Sequence, residues 1–338
     1  MWDKLKDNRI FVGGHRKNGT TVLIALLDGH PDLFIYPYET HFWYSFYPIY
    51  AEGNFSVKEK VERITQFLFE DLKEIIQKWL KLDENGLNFS YQELNAKYNE
   101  FILKNGNTTK DFFDTMCYLV RELLPCPNYQ THKSIVTKDT MSEIHVNELF
   151  KLYPKSTFIH IMRDPRDNCA VIMNGWDKHY KRNYDSKERL FRDAIDRGWL
   201  SMRMAIDNQK IYGDEKYLII KYEDLILNTK ATMRKVSKFI GIDFNRLNFD
   251  TTFCGIPWEG NSFTNMKYKG VNTSRIGMYR KYLTEDQIKV LEYYFEGEMI
   301  HFGYKPDYKR SESVDAVREH YKWFNNNQIY SGKAFRKY

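Results

Sequence analysis

The 338-residue chain has only four cysteines, Cys117, Cys126, Cys169 and Cys254, none in a CxxC pair or at a Cys/His spacing that suits a metal ion. No metal site is therefore expected. With no secretory leader ahead of them, the four read as reduced thiols. The opening MWDKLKDNRI is charged and polar, unlike a signal peptide or an anchor. A long hydrophobic run is missing too: Val22 to Leu27, the longest apolar stretch near the N-terminus, is far too short to cross a bilayer. A cytoplasmic location without a membrane span is the expectation. There is also little excess of one charge. The net charge of +6, from 51 Lys+Arg against 45 Asp+Glu, suits one local anion site, whereas a charge-dense nucleic-acid binder is usually more lopsided; nucleic-acid binding through the basic aromatic tail has only weak compositional support. No Gly/Ser/Pro linker, internal repeat or low-complexity tract divides the chain.

What is there points to an α/β fold. Hydrophobic residues make up 42% of the chain, enough for one sizeable core, and the 16% of aromatics can fill that core or line a cleft. Residues 9–13 (RIFVG) read as a buried strand, HRKNGTT as a turn, VLIALLDGH as a helix ending near Gly29, and LFIY (33–36) as a second strand. Strand, turn, helix, strand is a βαβ unit, the building block of parallel sheets. Val57, Val61, Ile64, Leu68, Leu72, Ile75 and Trp79 recur at helical spacing, and further helices are predicted over 90–104 and 109–124. The block 56–127 is thus a helical insertion between sheet elements. Strands are predicted at 134–138, 157–162 and 216–222, with helices near 141–152, from Pro165, over 186–210 and over 229–240. A Thr284–Gln287 capping box opens a helix to about His301. The expected organisation is one domain over 1–306 and a basic, aromatic tail over 307–338.

Two clusters carry chemistry. Gly14-His-Arg-Lys-Asn-Gly-Thr-Thr21 has the glycine spacing of a phosphate loop but lacks the Lys directly after the second glycine. Lys17 stands earlier, and Thr20 and Thr21 occupy the helix start, which suits a single phosphate or sulfate group. The plain alternative is a glycine-containing β–α turn with a threonine cap. After the strand at 157–162 comes Arg163-Asp-Pro-Arg-Asp167, at a strand's carboxyl end, where open α/β sheets bind ligands. Arg163 offers a planar fork for phosphate, while Asp164 and Arg166 fit better as a network locking the turn.

The chain resembles the sulfotransferases that use 3′-phosphoadenosine-5′-phosphosulfate (PAPS), the broad group that includes the tyrosylprotein sulfotransferases. The family's (K/R)-S-G-T-T loop is matched by Lys17-Asn18-Gly19-Thr20-Thr21, and its L-L-x-x-H-P segment by Leu26 to Pro31. Its E-T pair stands at Glu39-Thr40, its K-D pair at Lys138-Asp139 and its R-D-P-R at Arg163 to Arg166. Y-E-D-L falls at Tyr222 to Leu225, F-x-G-I at Phe239 to Ile242, and F-G-Y-x-P at Phe302 to Pro306. The matches run in family order; the helical block at 56–127, where such enzymes vary with acceptor, carries none.

The resemblance implies a P-loop-like three-layer fold, a central parallel sheet flanked by helices with a helical insertion. It also implies transfer of a sulfuryl group from PAPS to a hydroxyl or amine, releasing 3′-phosphoadenosine-5′-phosphate (PAP). Glu39 would be the general base, and Lys17 and Lys138 would stabilise the sulfuryl and bridging oxygens. The loop Lys17 to Thr21, with Asn18 and Gly19 between, would hold the 5′-phosphate, Arg163 the 3′-phosphate, and Tyr222 would lie near the nucleotide. Asn18 replaces the usual serine, and Val171 replaces the family's 3′-phosphate serine, a position where valine cannot donate. Lys269 or Arg275 would then complete that site. The plain alternative for Glu39 is capping or pairing with a neighbouring Arg. His30 reads as structural and His41 as a reserve base. The acceptor is left open among a glycan, a lipid, a small metabolite and a peptide. Competing readings are a P-loop kinase, which the missing loop lysine opposes, and a non-catalytic nucleotide-binding protein with a decayed site.

Overall fold

The run Arg-Ile-Phe-Val-Gly is buried at every position and forms strand β1 (Arg9–Gly13). Such continuous burial belongs to a parallel strand covered on both faces. Strands β2 (Leu33–Glu39), β3 (Ser134–Lys138), β4 (Thr157–Met162) and β5 (Tyr217–Lys221) complete a five-stranded sheet of order β2-β3-β1-β4-β5. Every pairing in it is parallel. The predicted strands at 9–13, 134–138 and 157–162 form with the bounds expected; β2 runs on to Glu39, and that extension carries a carboxylate to the sheet's end. Because β1 lies between β3 and β4, the strand order reverses there, which makes the carboxyl edge around β1 the natural ligand crevice of such a sheet.

This computed structural model describes residues 5, 7–81, 89–127, 131–260 and 270–326. In chain order the longer helices are α1 (Thr20–Leu27), α2 (Val57–Glu74), α3 (Tyr91–Asn105), α4 (Thr109–Leu123), α5 (Val146–Leu152), α6 (Pro165–Asn174), α7 (Lys187–Tyr212), α8 (Tyr222–Leu227), α9 (Thr229–Ile240), α10 (Glu285–His301) and α11 (Arg310–Asn326). The described residues divide into two compact units, Met1–Met162 with Ala205–Asn272, and Arg163–Met204 with Thr273–Tyr338. No helix among the described residues is long and apolar enough to cross a membrane.

The first unit holds the sheet. Its core is Ile10, Phe11 and Val12 of β1, Ile135 and Val136 of β3, Ile159 and Ile161 of β4, and the apolar face of α1. The described residues of the helical insertion include α2, α3 and α4, each opened by a capping box, at Ser56/Glu59, Ser90/Glu93 and Thr108/Asp111. Beyond α2 the backbone widens by one residue, and Leu80 N–H reaches the Ile75 carbonyl at 3.0 Å. α4 is clamped to β1 by a buried ion pair between Arg9 and Asp114. Asp114 also accepts from the Tyr153 hydroxyl at 2.8 Å and from Lys110 at 2.8 Å.

The reading of all four cysteines as reduced thiols is corrected. Cys126, just past α4, is joined by a disulfide to Cys254 in a short hairpin, 128 residues on; Cys117 and Cys169 are buried and stand outside that bond. The same hairpin is tied to the end of α1, where the Asp28 carboxylate accepts from Thr252 Oγ1 at 2.6 Å and from the backbone of Gly255 at 2.9 Å. Disulfides persist in oxidising surroundings, so the expected cytoplasmic location loses the support it drew from reduced thiols. Cys254→Ser is expected to lower unfolding free energy by about 2–4 kcal/mol, since the bond closes a long loop of the unfolded chain. Urea unfolding with and without reductant measures it, and coincident curves would mean the bond contributes nothing.

In the second unit α6, α10 and α11 pack around Cys169, Ile172, Leu291, Phe295, Met299 and Val317. The capping box at Thr284 opens α10 as predicted. Within the expected tail Arg310–Asn326 form α11, and residues 327–338 lie outside the described residues. Arg310 anchors its start, bonding to Glu296 at 2.6 Å and stacking on the Tyr293 ring at 3.9 Å.

Candidate active site

The β1–α1 turn is a loop that only glycine can build at two positions. Gly14 has φ +134, and a Cβ there would lie 2.2 Å from the Ile161 carbonyl oxygen of β4. Gly19 has φ +100, and a Cβ there would lie 2.4 Å from the Tyr222 ring. The loop is therefore pressed between β4 and the first residue of α8. Gly14 N–H donates to the buried Glu143 carboxylate at 2.9 Å. Asn18 Nδ2 donates to the Ile161 carbonyl at 3.0 Å, so the asparagine in the usual serine position ties the loop to the sheet. No side chain caps α1 at Gly19, and the helix opens on the buried Thr20 and Thr21, an N-terminus of the kind that suits an anion.

Lys17 sits at the loop's apex with φ 67, a left-handed conformation that costs a non-glycine residue on the order of 1 kcal/mol. Burial pulls its ammonium pKa down to about 8; Glu39 opposes that fall, while Lys138, Arg16 and Lys78 add to it. A cluster of cations crowds one small volume at the sheet's carboxyl edge. Such crowding favours an anion placed among them.

Glu39 ends β2 and Lys138 ends β3, and the register pairs them directly. Lys138 Nζ donates to Glu39 Oε1 at 2.9 Å, while Thr140 and Tyr44 each donate a hydroxyl to Oε2 at 2.9 Å. Burial works to raise the Glu39 pKa, but the Lys138 charge and hydrogen bond outweigh it and hold the carboxyl down at about 2. Among the described residues the ion-pair partner of Glu39 is Lys138, where the sequence had offered a neighbouring Arg as the plain alternative. Next to it, buried Asp139 accepts from Thr40 Oγ1 and from the His41 backbone at 2.9 Å. Burial, with Glu39's charge behind it, pushes Asp139 up to about 7 against those hydrogen bonds. His30 is structural, as read from sequence: its Nδ1 accepts from Asp32 N–H at 3.2 Å and its Nε2 lies 3.1 Å from the Asp243 carbonyl.

In the second unit Arg163 is buried, and its guanidinium donates to the Arg275 carbonyl, which fixes the short turn Thr273–Arg275. Asp164 and Arg166 form the turn-locking network expected of them. Asp164 caps α6, and Arg166 grips both its oxygens, at 3.0 and 2.7 Å. Arg166 also pairs with Glu292 of α10, whose carboxylate accepts the backbone amides of Asp307 and Tyr308 at 2.7 and 2.9 Å. Asp167 accepts from the amides of Gly277 and Tyr279 at 2.7 and 2.9 Å, bracing the segment that carries Arg275. Val171 lies half-buried on α6. Lys269, offered as a substitute donor, lies outside the described residues.

Sequence reasoning missed Thr140, Tyr44 and Glu143. Thr140 had a signal, standing two residues past the motif lysine. Tyr44 and Glu143 had none, because their partners lie at Glu39 and Gly14 across turns whose geometry the sequence does not spell out. Among the described residues no group of His, Cys, Asp and Glu is arranged to hold a metal ion.

Residues 9–246 match the model of the sulfotransferase family. The chain is 22% identical over 236 residues to a protein-tyrosine sulfotransferase of Drosophila melanogaster, covering 70% of this chain and 38% of the relative. It is 23% identical over 193 residues to a 3-alpha-hydroxysteroid sulfotransferase of Cavia porcellus, covering 46% of this chain and 61% of the relative. The matched parts thus fall short of two thirds of either relative's length. Two solved structures share the fold. The sulfotransferase domain of the Synechococcus PCC 7002 olefin synthase superposes with a TM-score of 0.54 at 17% identity, over 88% of this chain and 95% of that one. The sulfotransferase domain from the curacin biosynthetic pathway gives 0.55 at 15%, over 88% and 97%. A parallel sheet with a cation-rich loop at its carboxyl edge, and a family match running from β1 past α9, have one conclusion: the chain belongs to the sulfotransferase family.

Proposed function

We propose that the chain transfers the sulfuryl group of PAPS to a hydroxyl or amine of an acceptor and releases PAP. The observation that carries this reading is the Glu39–Lys138 pair, 2.9 Å apart, beside Lys17 at the mouth of the β1–α1 loop. It unites a carboxylate for the acceptor proton with cations for the charge that develops on the donor. The loop amides with Asn18, Gly19, Thr20 and Thr21 are assigned to the 5′-phosphate. The Tyr222 ring, packed on Gly19, supports a nucleotide role for that residue. Arg163, with Arg275, is assigned to the 3′-phosphate.

In the reaction the acceptor oxygen attacks sulfur in line as Glu39 takes its proton. The new O–S bond forms while the bond from sulfur to the 5′-phosphate oxygen breaks, and that oxygen leaves with the electron pair. Lys17 and Lys138 stabilise the equatorial and leaving oxygens, so catalysis is mainly positioning and electrostatics. Glu39 held at about 2 is a weak base in the free protein. A donor anion gives Lys138 a second partner, loosens its hold on Oε1, and lets Glu39 become more basic when the acceptor is in place.

Titration with PAP by calorimetry, against ATP with Mg²⁺, tests the donor. Metal-independent PAP binding is expected; binding of ATP with Mg²⁺ alone would favour a kinase, and no binding of either would favour a decayed site. Arg163→Ala is expected to weaken PAP binding by at least about tenfold, the worth of a charge-assisted hydrogen bond. Unchanged affinity would end the 3′-phosphate assignment.

A further inference from the structure

His41 stands two residues past Glu39 in the left-handed region, uncommon for residues other than glycine, with φ 54 and ψ 0. Strained backbone of this kind persists only where its surroundings over-determine it, and it concentrates at working sites. Here the surroundings do so from several sides. Asp139, past the end of β3, accepts the His41 N–H at 2.9 Å. Asp71, on α2 of the helical insertion, lies 2.8 Å from the ring Nδ1. Tyr38 of β2 meets the ring edge-on at 5.3 Å, and Tyr44 lies against it at 5.2 Å. The kink has a direct consequence. It turns the chain into the short helix Phe42–Ser45, and that helix returns the Tyr44 hydroxyl to Glu39 Oε2 at 2.9 Å.

We propose that the His41–Asp71 ion pair is a positioning unit through which the helical insertion aims Tyr44 and holds the Glu39 carboxylate in its working orientation. Asp71, His41, Tyr44 and Glu39 form a continuous chain of contacts, from a helix without family motifs to the candidate base. An acceptor that shifts α2 therefore acts on Glu39 through the Tyr44 hydrogen bond and the His41 charge. The role is distinct from that of a reserve base: His41 Nδ1 is committed to Asp71, and its charge acts on Glu39 through space.

The pair is also sensitive to pH, with a definite sign. Burial works to lower the His41 pKa, but the hydrogen bond and charge of Asp71, with Glu39 and Asp139 adding to them, raise it above the ordinary value. The His41 charge is thus in place below the ordinary histidine pKa of about 6.5 and is lost as pH rises through the raised one. On the acid side the pair is lost again as Asp71 takes up a proton, its pKa raised by burial, with Glu74 and Glu39 adding to the rise, against the hydrogen bond and charge of His41.

The test uses the full chain with ¹⁵N-labelled histidine. In the wild type the His41 ring should titrate above about 6.5, and Asp71→Asn should bring it down by about one unit, a tenfold change in its acid constant. An unchanged ring titration in Asp71→Asn would overturn the ion pair. His41→Asn keeps a residue that tolerates the left-handed backbone while removing the ring. It should raise the Glu39 carboxyl titration, followed by ¹³C NMR, and Glu39 titrating as in the wild type would overturn the link to the base. For turnover the inference rests on the PAPS reading: the alkaline fall in PAP release should move to lower pH in Asp71→Asn. A wild-type chain that binds no PAP would sink the donor reading, while the two titrations would still decide this one.

Discussion

Glu39→Gln is expected to lower sulfuryl transfer from PAPS by about 10²–10⁴-fold, the usual worth of a positioned general base, while PAP affinity stays within about twofold. Glutamine is the informative replacement because it preserves the shape of the site. Its carbonyl can still accept from Lys138, and the hydroxyls of Thr140 and Tyr44, which donate to Glu39 at 2.9 Å, can turn to accept from the amide. Alanine would instead strand Lys138, whose side chain is only 3% exposed, without its carboxylate and so mix folding with chemistry. Turnover is read as PAP released from PAPS with an acceptor found by screening, and affinity by calorimetry on the same preparation. Near-normal turnover would remove Glu39 from the chemistry and leave it as a counter-ion for Lys138. Equal losses in turnover and PAP affinity would mean that it shapes the donor site instead.

The largest expected effect on folding lies elsewhere, at Asp114. Arg9 is fully buried in β1, and its guanidinium is wedged against the rings of Phe113 at 5.5 Å and Tyr153 at 5.3 Å. Burial works to lower the Arg9 pKa, but surrounding groups, Asp114 among them, outweigh it and keep the charge in place. Removing the carboxylate strands that charge in a medium that solvates it poorly. Asp114→Ala is therefore expected to cost about 3–5 kcal/mol, the range for breaking one side of a buried pair. Asp114→Asn, which can still accept from Arg9 and Tyr153, is expected to cost less. Urea unfolding followed by circular dichroism measures both. A loss for alanine comparable to that of an exposed pair, about 1 kcal/mol or less, would show that the clamp between β1 and α4 contributes little.

The order of elements is largely legible in the sequence. β1, β3 and β4 are short apolar runs bounded by turns, and such runs have few alternatives once they are buried on both faces. Gly241 closes α9 in the left-handed conformation expected of a terminating glycine, and Thr284 opens α10 through its own side chain. These features need only residues within one helical turn of each other. Lys17, Thr20 and Thr21 were readable for the same reason, since the loop that presents them is local. The turn-locking role of Asp164 and Arg166 was legible as far as Asp164; the reach of Arg166 to Glu292 was not.

By itself, then, the sequence determined the α/β class, the strand and helix sequence, and the residues at the ends of β1, β3 and β4. Tertiary structure alone decided how those ends are furnished. Lys138 meets Glu39 because β3 lies beside β2 in a particular register, and Thr140 and Tyr44 close on Glu39 because the chain turns sharply at His41. Asp71 reaches His41 from an insertion without motifs, Arg9 finds Asp114 at a separation of 105 residues, and Cys126 finds Cys254 at 128. The reason is physical. Propensity, periodicity and turn chemistry act over a few residues, so sequence carries them in plain form. A pairing across a hundred residues depends on where packing brings two surfaces together, and no single residue at either end encodes its partner.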